Sequence, residues 1–169
     1  MNQTDPIRVS DDYFTQRQHK FILKYCEECS YRYGEVDSSS TPPTGLIHEI
    51  PTTEEIYPLI ERRIEKSMGP DVNKYELYRM YVNCFAPSEN PYFHVDGEEG
   101  DLTFLYYPNM NWEPNDGGET QIYIGDRIHG IPPIPNRMIL FDASLLHRAT
   151  TFRNSHRFTI AVKYTLVNK

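Results

Sequence analysis

Two kinds of periodicity divide the chain. Over residues 11–33, apolar and aromatic positions recur at helical spacing through Phe14, Phe21, Ile22, Tyr25, Cys26 and Cys29, and Asp11 or Asp12 can cap the start. Gly34 ends this segment. Residues 35–44, EVDSSSTPPT, show no periodicity and read as a polar Ser/Pro loop, either a linker or a lid. Leu46 to Ile50 fits a short strand. A second helix is predicted from Thr53 to Ser67. Thr52 and Glu55 have capping-box spacing, Ile56, Leu59, Ile60 and Ile64 form one apolar stripe, and Gly69-Pro70 stops it. Pro58 lies near enough to the helix start to be tolerated.

From Val72 onward the period changes to two. Tyr75, Leu77, Arg79 and Tyr81 alternate with Glu76, Tyr78, Met80 and Val82. Strand-like pieces follow at 92–96, 102–108, 119–124, 137–142, 145–149 and 157–166. Turn clusters separate them: Ala86-Pro87-Ser88-Glu89-Asn90, Asn115-Asp116-Gly117-Gly118 and Pro132-Pro133-Ile134-Pro135. Two helices followed by a run of short strands predict a mainly β fold, a sandwich or barrel with the helices packed outside. The 169 residues suit one domain spanning 1–169. Thirteen prolines and thirteen tyrosines favour this loop-rich β reading over a helical bundle.

Charge and cysteine content narrow the function classes. The net charge is −7 and no Lys/Arg block stands out, which argues against nucleic acid as the main partner. No apolar run has the length of a membrane span, and Met1 to Ser10 is polar with no secretory core, so a cytoplasmic setting without a membrane partner is expected. Three cysteines, Cys26, Cys29 and Cys84, read as reduced thiols. Cys26 and Cys29 form a C-x-x-C, a zinc half-site or redox pair on one reading and two thiols one helical turn apart on the other. The absence of a second C-x-x-C or a nearby His pair favours the latter.

The residues able to carry chemistry lie in the strand-rich half. In His94-Val95-Asp96 the two ligating side chains, two positions apart on a strand, share a face and can reach one ion. With six histidines in the chain this tripeptide is weak by itself. A second histidine, His147, follows the buried-looking strand Ile139 to Asp142 and a short turn. It is either a third ligand or a hydrogen-bonded interior histidine. Two His and one carboxylate on one face of an octahedral ion leave positions open, which suits non-haem Fe(II). A structural zinc site would want four protein ligands. Arg157 opens the β-branched strand Arg157 to Tyr164, sharing a face with Thr159 and Ala161. Facing inward it needs an anion, and the distal carboxylate of a keto-diacid would supply one through paired hydrogen bonds. As an ordinary surface arginine it would need none. Arg153 is the rival, in a loop.

Taken in order, these pieces resemble the Fe(II)/2-oxoglutarate oxygenases of prolyl 4-hydroxylase type. The resemblance covers Tyr81 to Tyr164 and rests on His94-Val95-Asp96, Leu105-Tyr106-Tyr107, Asn109 to Trp112, Gly117-Gly118-Glu119-Thr120, Asn136 to Phe141, His147 and Arg157. It is similar to the small microbial or viral branch and to the oxygen-sensing prolyl hydroxylases, which use Arg rather than Lys at the last position. The resemblance implies a double-stranded β-helix (jelly-roll) fold with N-terminal helices on the larger sheet. It implies Fe(II) on His94, Asp96 and His147, 2-oxoglutarate on Arg157 and Tyr107, O₂ as the second co-substrate, and ascorbate as an accessory reductant. Tyr106 should point to the other face. One departure stands out: where the family often has a pocket tyrosine, this chain has Phe85, so Asn83 or Tyr81 becomes the candidate substitute.

The reaction so implied couples decarboxylation of the keto acid to succinate with hydroxylation of an unactivated C–H bond. Family analogy favours a proline-containing peptide or protein, with Tyr92 and Trp112 as aromatics able to pack on the proline ring. Three alternatives share the frame: hydroxylation of a free amino acid or small molecule, a non-enzymatic jelly-roll metal-binding module, and a zinc hydrolase. Oligomeric state is not legible in the sequence.

Overall fold

The computed structural model describes residues 6–34, 36 and 40–167; the linker-or-lid expectation for 35–44 therefore falls partly outside the described residues. The chain opens with strand β1 (Ile7–Ser10) and helix α1 (Gln16–Glu28), then β2 (Arg32–Tyr33), β3 (Leu46–Glu49) and helix α2 (Ile56–Met68). After a 3₁₀ turn at Gly69–Lys74 come β4 (Tyr75–Phe85), β5 (Leu102–Tyr107), β6 (Thr120–Ile124), β7 (Arg127–Ile131), β8 (Arg137–Asp142), β9 (His147–Ala149) and β10 (Arg157–Leu166).

Local chemistry sets the helix limits more tightly than the periodicity does. The Thr15 hydroxyl accepts from Gln18 N while Thr15 N donates to Gln18 Oε1 (3.0 Å), a capping box that starts α1 at Gln16. Neither Asp11 nor Asp12 caps it. Arg137 draws Asp11 away with two hydrogen bonds (2.6 and 2.9 Å), and Asp12 sits in a turn at φ 49°. The Thr52–Glu55 box also fails to form: residues 52–55 turn instead, and Glu55 precedes α2 without a side-chain bond. Gly69 ends α2 at φ 62°, a left-handed position suited to glycine.

Two strands escape the alternation rule. In β1 only Ile7 is buried, and residues 127–130 of β7 are all exposed, so neither carries a period-two signal. Strand 92–96 is not formed. Its pairing shrinks to one bridge between His94 and His147, because the N–H groups of Asp96 and Gly97 both turn to Ala143 O. Likewise β9 begins at His147, since Asp142 holds residues 142–145 in a turn through Ser144 and Leu145.

The strands form two antiparallel sheets. The larger runs β1-β8-β5-β10-β4-β3-β2 and the smaller β7-β6-β9, the jelly-roll fold expected from the resemblance. Both helices pack on the outer face of the larger sheet. There Ile22, Cys26, Ile56, Ile60 and Ile64 meet Met80, Val82, Phe104, Tyr106, Ile160 and Val162. Each such isoleucine contributes about 1.5–3 kcal/mol by leaving water. A second cluster lies on the other face of that sheet: Ile47, Tyr81, Leu105, Tyr107, Ile139 and Ala161 with Ile122 of the small sheet. Strand β10 serves both: Ile160, Val162 and Tyr164 go to the helices, and Arg157, Thr159, Ala161 and Lys163 alternate with them on the inner face. Among the described residues no helix is long and apolar enough to cross a membrane.

Asn136 fastens the N-terminal segment to this frame. Its Oδ1 accepts from Phe14 N (3.0 Å) and Tyr106 OH (2.9 Å), and its Nδ2 donates to Phe14 O (2.8 Å). We expect Asn136→Ala to destabilise the protein by about 3 kcal/mol, because the buried Tyr106 hydroxyl loses its acceptor and Phe14 its partners. Urea unfolding measures this directly, and a change near zero would show that the clamp contributes nothing.

Candidate active site

The His94–His147 bridge brings the two imidazoles together, His94 from a loop and His147 from the start of β9. Their backbones exchange two hydrogen bonds of 2.9 Å, and the ring centroids are 4.5 Å apart. Asp96, two residues on, meets both: its Oδ1 is 3.5 Å from His94 Nε2 and its Oδ2 is 3.4 Å from His147 Nε2. Each ring turns Nδ1 to a carbonyl, of Tyr92 (3.1 Å) and of Leu145 (2.9 Å). A carbonyl can only accept, so Nδ1 carries a hydrogen, and the two Nε2 atoms converge on Asp96, donating to its carboxylate when protonated and offering their lone pairs to a metal when not. The ligand atoms all lie within 4.8 Å of one another, the one such group of His, Cys, Asp and Glu among the described residues. Two neutral nitrogens and one carboxylate, converging with room for further ligands, fit Fe(II).

Asp96 is held by more than the histidines. Lys163 Nζ donates to Oδ1 (2.7 Å) and Thr103 Oγ1 to Oδ2 (2.8 Å). Burial pushes the Asp96 carboxyl up, but hydrogen bonds from His147 and His94 and the charge of Lys163 outweigh it and hold the carboxyl well below its ordinary value.

Arg157 is 1% exposed. Its guanidinium donates to Gly118 O (2.7 Å), Thr120 Oγ1 (2.9 Å) and Thr159 Oγ1 (3.4 Å), all neutral acceptors. No carboxylate lies within ion-pair distance of it among the described residues. Burial pulls its pKa down, opposed by Tyr107 and Glu119. The Tyr107 ring lies 5.5 Å from the guanidinium carbon, and its hydroxyl donates to Thr120 Oγ1 (2.8 Å). Thr120 thus accepts from two groups, which leaves its own hydroxyl proton to offer to a ligand. Gly118 reaches this position at φ 83°; a Cβ there would collide with the Phe152 ring.

A 190 Å³ cavity joins the two ends, with His94, Asp96 and His147 at one and Arg157, Thr120 and Thr159 at the other. Strand β4 supplies one wall through Arg79, Tyr81, Asn83 and Phe85, which register against Lys163, Ala161, Thr159 and Arg157 of β10. Asn83 and Tyr81, the candidate substitutes for a pocket tyrosine, therefore both reach the cavity. The Tyr81 phenol is pushed up to about 12 by burial and the nearby Asp96 charge. Tyr106 points away, its hydroxyl on Asn136.

The aromatic substrate candidates are not brought to this cavity. Tyr92 is 42% exposed and outside its lining. Trp112 donates Nε1–H to Gly117 O (2.8 Å) and lines a separate surface depression with Met110 and Asn111. Arg153 is exposed and donates to Asn115 O (3.2 Å), so the buried role falls to Arg157. Cys26 and Cys29 form no disulfide, and burial pushes both thiols up. Sequence reasoning overlooked Thr103, Thr120 and Lys163. Lys163 had a signal, a charge on the same alternate face of β10 as Arg157.

Comparison with known proteins agrees with this geometry. A family model described as the 2OG-Fe(II) oxygenase superfamily matches residues 80–164, a span that contains every residue of the triad and Arg157. No curated protein matches the sequence. Among solved structures, a prolyl hydroxylase from Trichoplax adhaerens, in complex with a hypoxia-inducible-factor oxygen degradation domain peptide fragment, superposes with a TM-score of 0.78. It is 18% identical over 95% of this chain and 84% of its own. A Pseudomonas putida prolyl-4-hydroxylase has a TM-score of 0.79 at 13% identity, covering 98% and 95%. HygX from Streptomyces hygroscopicus, with nickel and 2-oxoglutarate bound, has a TM-score of 0.73 at 12% identity, covering 98% and 84%.

Two outcomes follow from the site geometry. His94→Ala should remove high-affinity Mn(II) binding while the circular dichroism spectrum stays that of the folded protein; retained binding by calorimetry would exclude the triad as a metal site. The depressed Asp96 carboxyl stabilises the metal-free fold above the unfolded value of 3.8, and that stability is lost as pH falls through the lower folded value. Below pH 3.8 the urea midpoint of the metal-free protein should therefore fall more steeply than that of Asp96→Asn. Parallel pH profiles would mean the carboxyl is not so held.

Proposed function

The chain belongs to the 2OG-Fe(II) oxygenase superfamily, and from that premise we propose that it is a hydroxylase of prolyl residues in a peptide or protein. It is a 2-oxoglutarate-dependent dioxygenase that uses Fe(II), 2-oxoglutarate and O₂. The observation that carries the site assignment is the buried Arg157, without a carboxylate partner among the described residues, facing the cavity that ends at His94, Asp96 and His147.

His94, Asp96 and His147 would hold the ion. Bound there, Fe(II) supplies O₂ activation coupled to decarboxylation of the keto acid. The rest of the cavity positions and protects. Arg157 receives the distal carboxylate, and the free Thr120 hydroxyl proton adds a third donor beside the guanidinium fork. Thr103 and Lys163 fix the Asp96 carboxylate so that its orientation does not depend on the metal. Phe85 and Leu105 line the cavity with apolar surface, which keeps bulk water from the reacting atoms. The prolyl reading draws on the sequence resemblance and on the two prolyl hydroxylases among the structural neighbours.

Anaerobic titration of the Fe(II)-loaded protein with 2-oxoglutarate should produce a weak visible charge-transfer band, and admission of O₂ should yield succinate. Absence of the band with Fe(II) bound would overturn the keto-acid site. Arg157→Ala should raise the 2-oxoglutarate concentration for half-maximal turnover at least about 100-fold, as expected when one partner of a buried charge pair is removed. An unaltered requirement would move the anchor elsewhere.

A further inference from the structure

The cavity is cationic on both sides of the metal ligands. Its described lining residues include Arg79, Arg157 and Lys163, and the one carboxylate among them is Asp96, in a chain whose net charge is −7. Arg157 belongs to the keto-acid end. Arg79 is tied to Glu49, with Nε donating to Oε1 at 3.0 Å. Lys163 remains, on the inner face of β10 six residues beyond Arg157, its side chain 9% exposed and its ammonium 5.1 Å above the Tyr81 ring.

In the metal-free protein Asp96 answers the Lys163 charge. Loading changes that balance. A divalent ion and a keto-diacid dianion cancel each other, Asp96 becomes a ligand, and Arg157 takes the keto acid. What is left over is one net positive charge, and the nearly buried Lys163 ammonium, with one N–H on Asp96, has further donors to offer in the cavity lining. A buried cation in that state calls for an anion. Resting on the reading that this site takes Fe(II) and 2-oxoglutarate, we propose that Lys163 receives a carboxylate of the primary substrate. The substrate is then a prolyl compound with a carboxylate next to the reacting residue. That carboxylate is either the chain's own C-terminus or an adjacent acidic side chain.

The test uses the Mn(II)-loaded protein with 2-oxoglutarate, where binding can be measured by calorimetry without turnover. Three matched ligands are compared: a prolyl peptide capped as its amide, the same peptide ending in a free prolyl carboxylate, and the capped peptide with Asp after the proline. At least one carboxylate form should bind about tenfold or more tightly than the neutral one, the scale of one charge-assisted hydrogen bond. Which form gains identifies the source of the carboxylate. Lys163→Met should bring that ratio near one, and Lys163→Arg should restore it, with Mn(II) titration and circular dichroism checking that both variants keep the site and the fold. Equal affinity for neutral and anionic forms, binding of the neutral form alone, or a ratio that survives in Lys163→Met would overturn the proposal, whereas binding of none of the three ligands would overturn the prolyl reading on which it rests. Failure of 2-oxoglutarate itself to bind the Mn(II) protein would instead overturn the oxygenase site.

Discussion

A positive charge buried inside a sheet is costly unless an anion meets it, and the interior of this protein contains two such charges on one strand. The inner face of β10 begins with Arg157 and reaches Lys163, with Thr159 and Ala161 between. Asp96 meets the second. Neutral oxygens meet the first, from Gly118, Thr120 and Thr159. Hydrogen bonds hold the guanidinium in place without cancelling its charge, so the fold keeps an anion site ready. The other features of the cavity follow from where β10 puts these groups.

The scaffold spends its irregular structure where this requires it. Gly117 and Gly118 take positive φ so that a carbonyl can face Arg157 while the Phe152 ring covers the turn. The expected strand at 92–96 is sacrificed to a single bridge, and that bridge sets His94 beside His147. Ala143 O accepts both Asp96 N and Gly97 N, which turns the Asp96 side chain back toward the rings. Away from the cavity the structure is regular: long strands β4 and β10 pair along almost their whole length, and two amphipathic helices seal the outer face.

The parts of this arrangement that depend on short-range pattern were legible in the sequence. The stripe of Ile56, Ile60 and Ile64, the alternation of β4 and β10, and the i, i+2 pair His94 and Asp96 each say locally which face they occupy. Boundaries were harder, because they depend on distant partners: Arg137 takes Asp11 from the helix start, and only a folded chain reveals this. Strands β1 and β7 gave no signal since they bury almost nothing and exist through pairing with β8 and β6. The bond from the Trp112 indole N–H to Gly117 O and the surface depression that its ring lines with Met110 and Asn111 likewise appear only in the folded chain.

Phe85 shows how the site tolerates a departure from the family it belongs to. A phenol there would offer the co-substrate a hydrogen bond from β4; a phenyl ring offers only apolar surface, directly opposite Arg157. On the proposed reading, the polar contact is replaced from the other sheet. Thr120 accepts from both Arg157 and Tyr107, and a hydroxyl with its acceptor capacity used in this way has only its proton left to give. Tyr107 therefore acts through Thr120 and by its ring, with its own hydroxyl already committed. On that reading the distal carboxylate takes donors from β10 and β6, while the β4 wall sets Phe85 as apolar cover, Asn83 as a further polar group beside Thr159 and, at the opposite end, Tyr81 between the two cations Arg79 and Lys163. Keto-acid binding and substrate choice, as proposed, lie at opposite ends of the same strand, β10, so the Arg79–Tyr81–Lys163 end is free to change with the substrate while the Arg157–Thr120 end stays fixed by the keto acid.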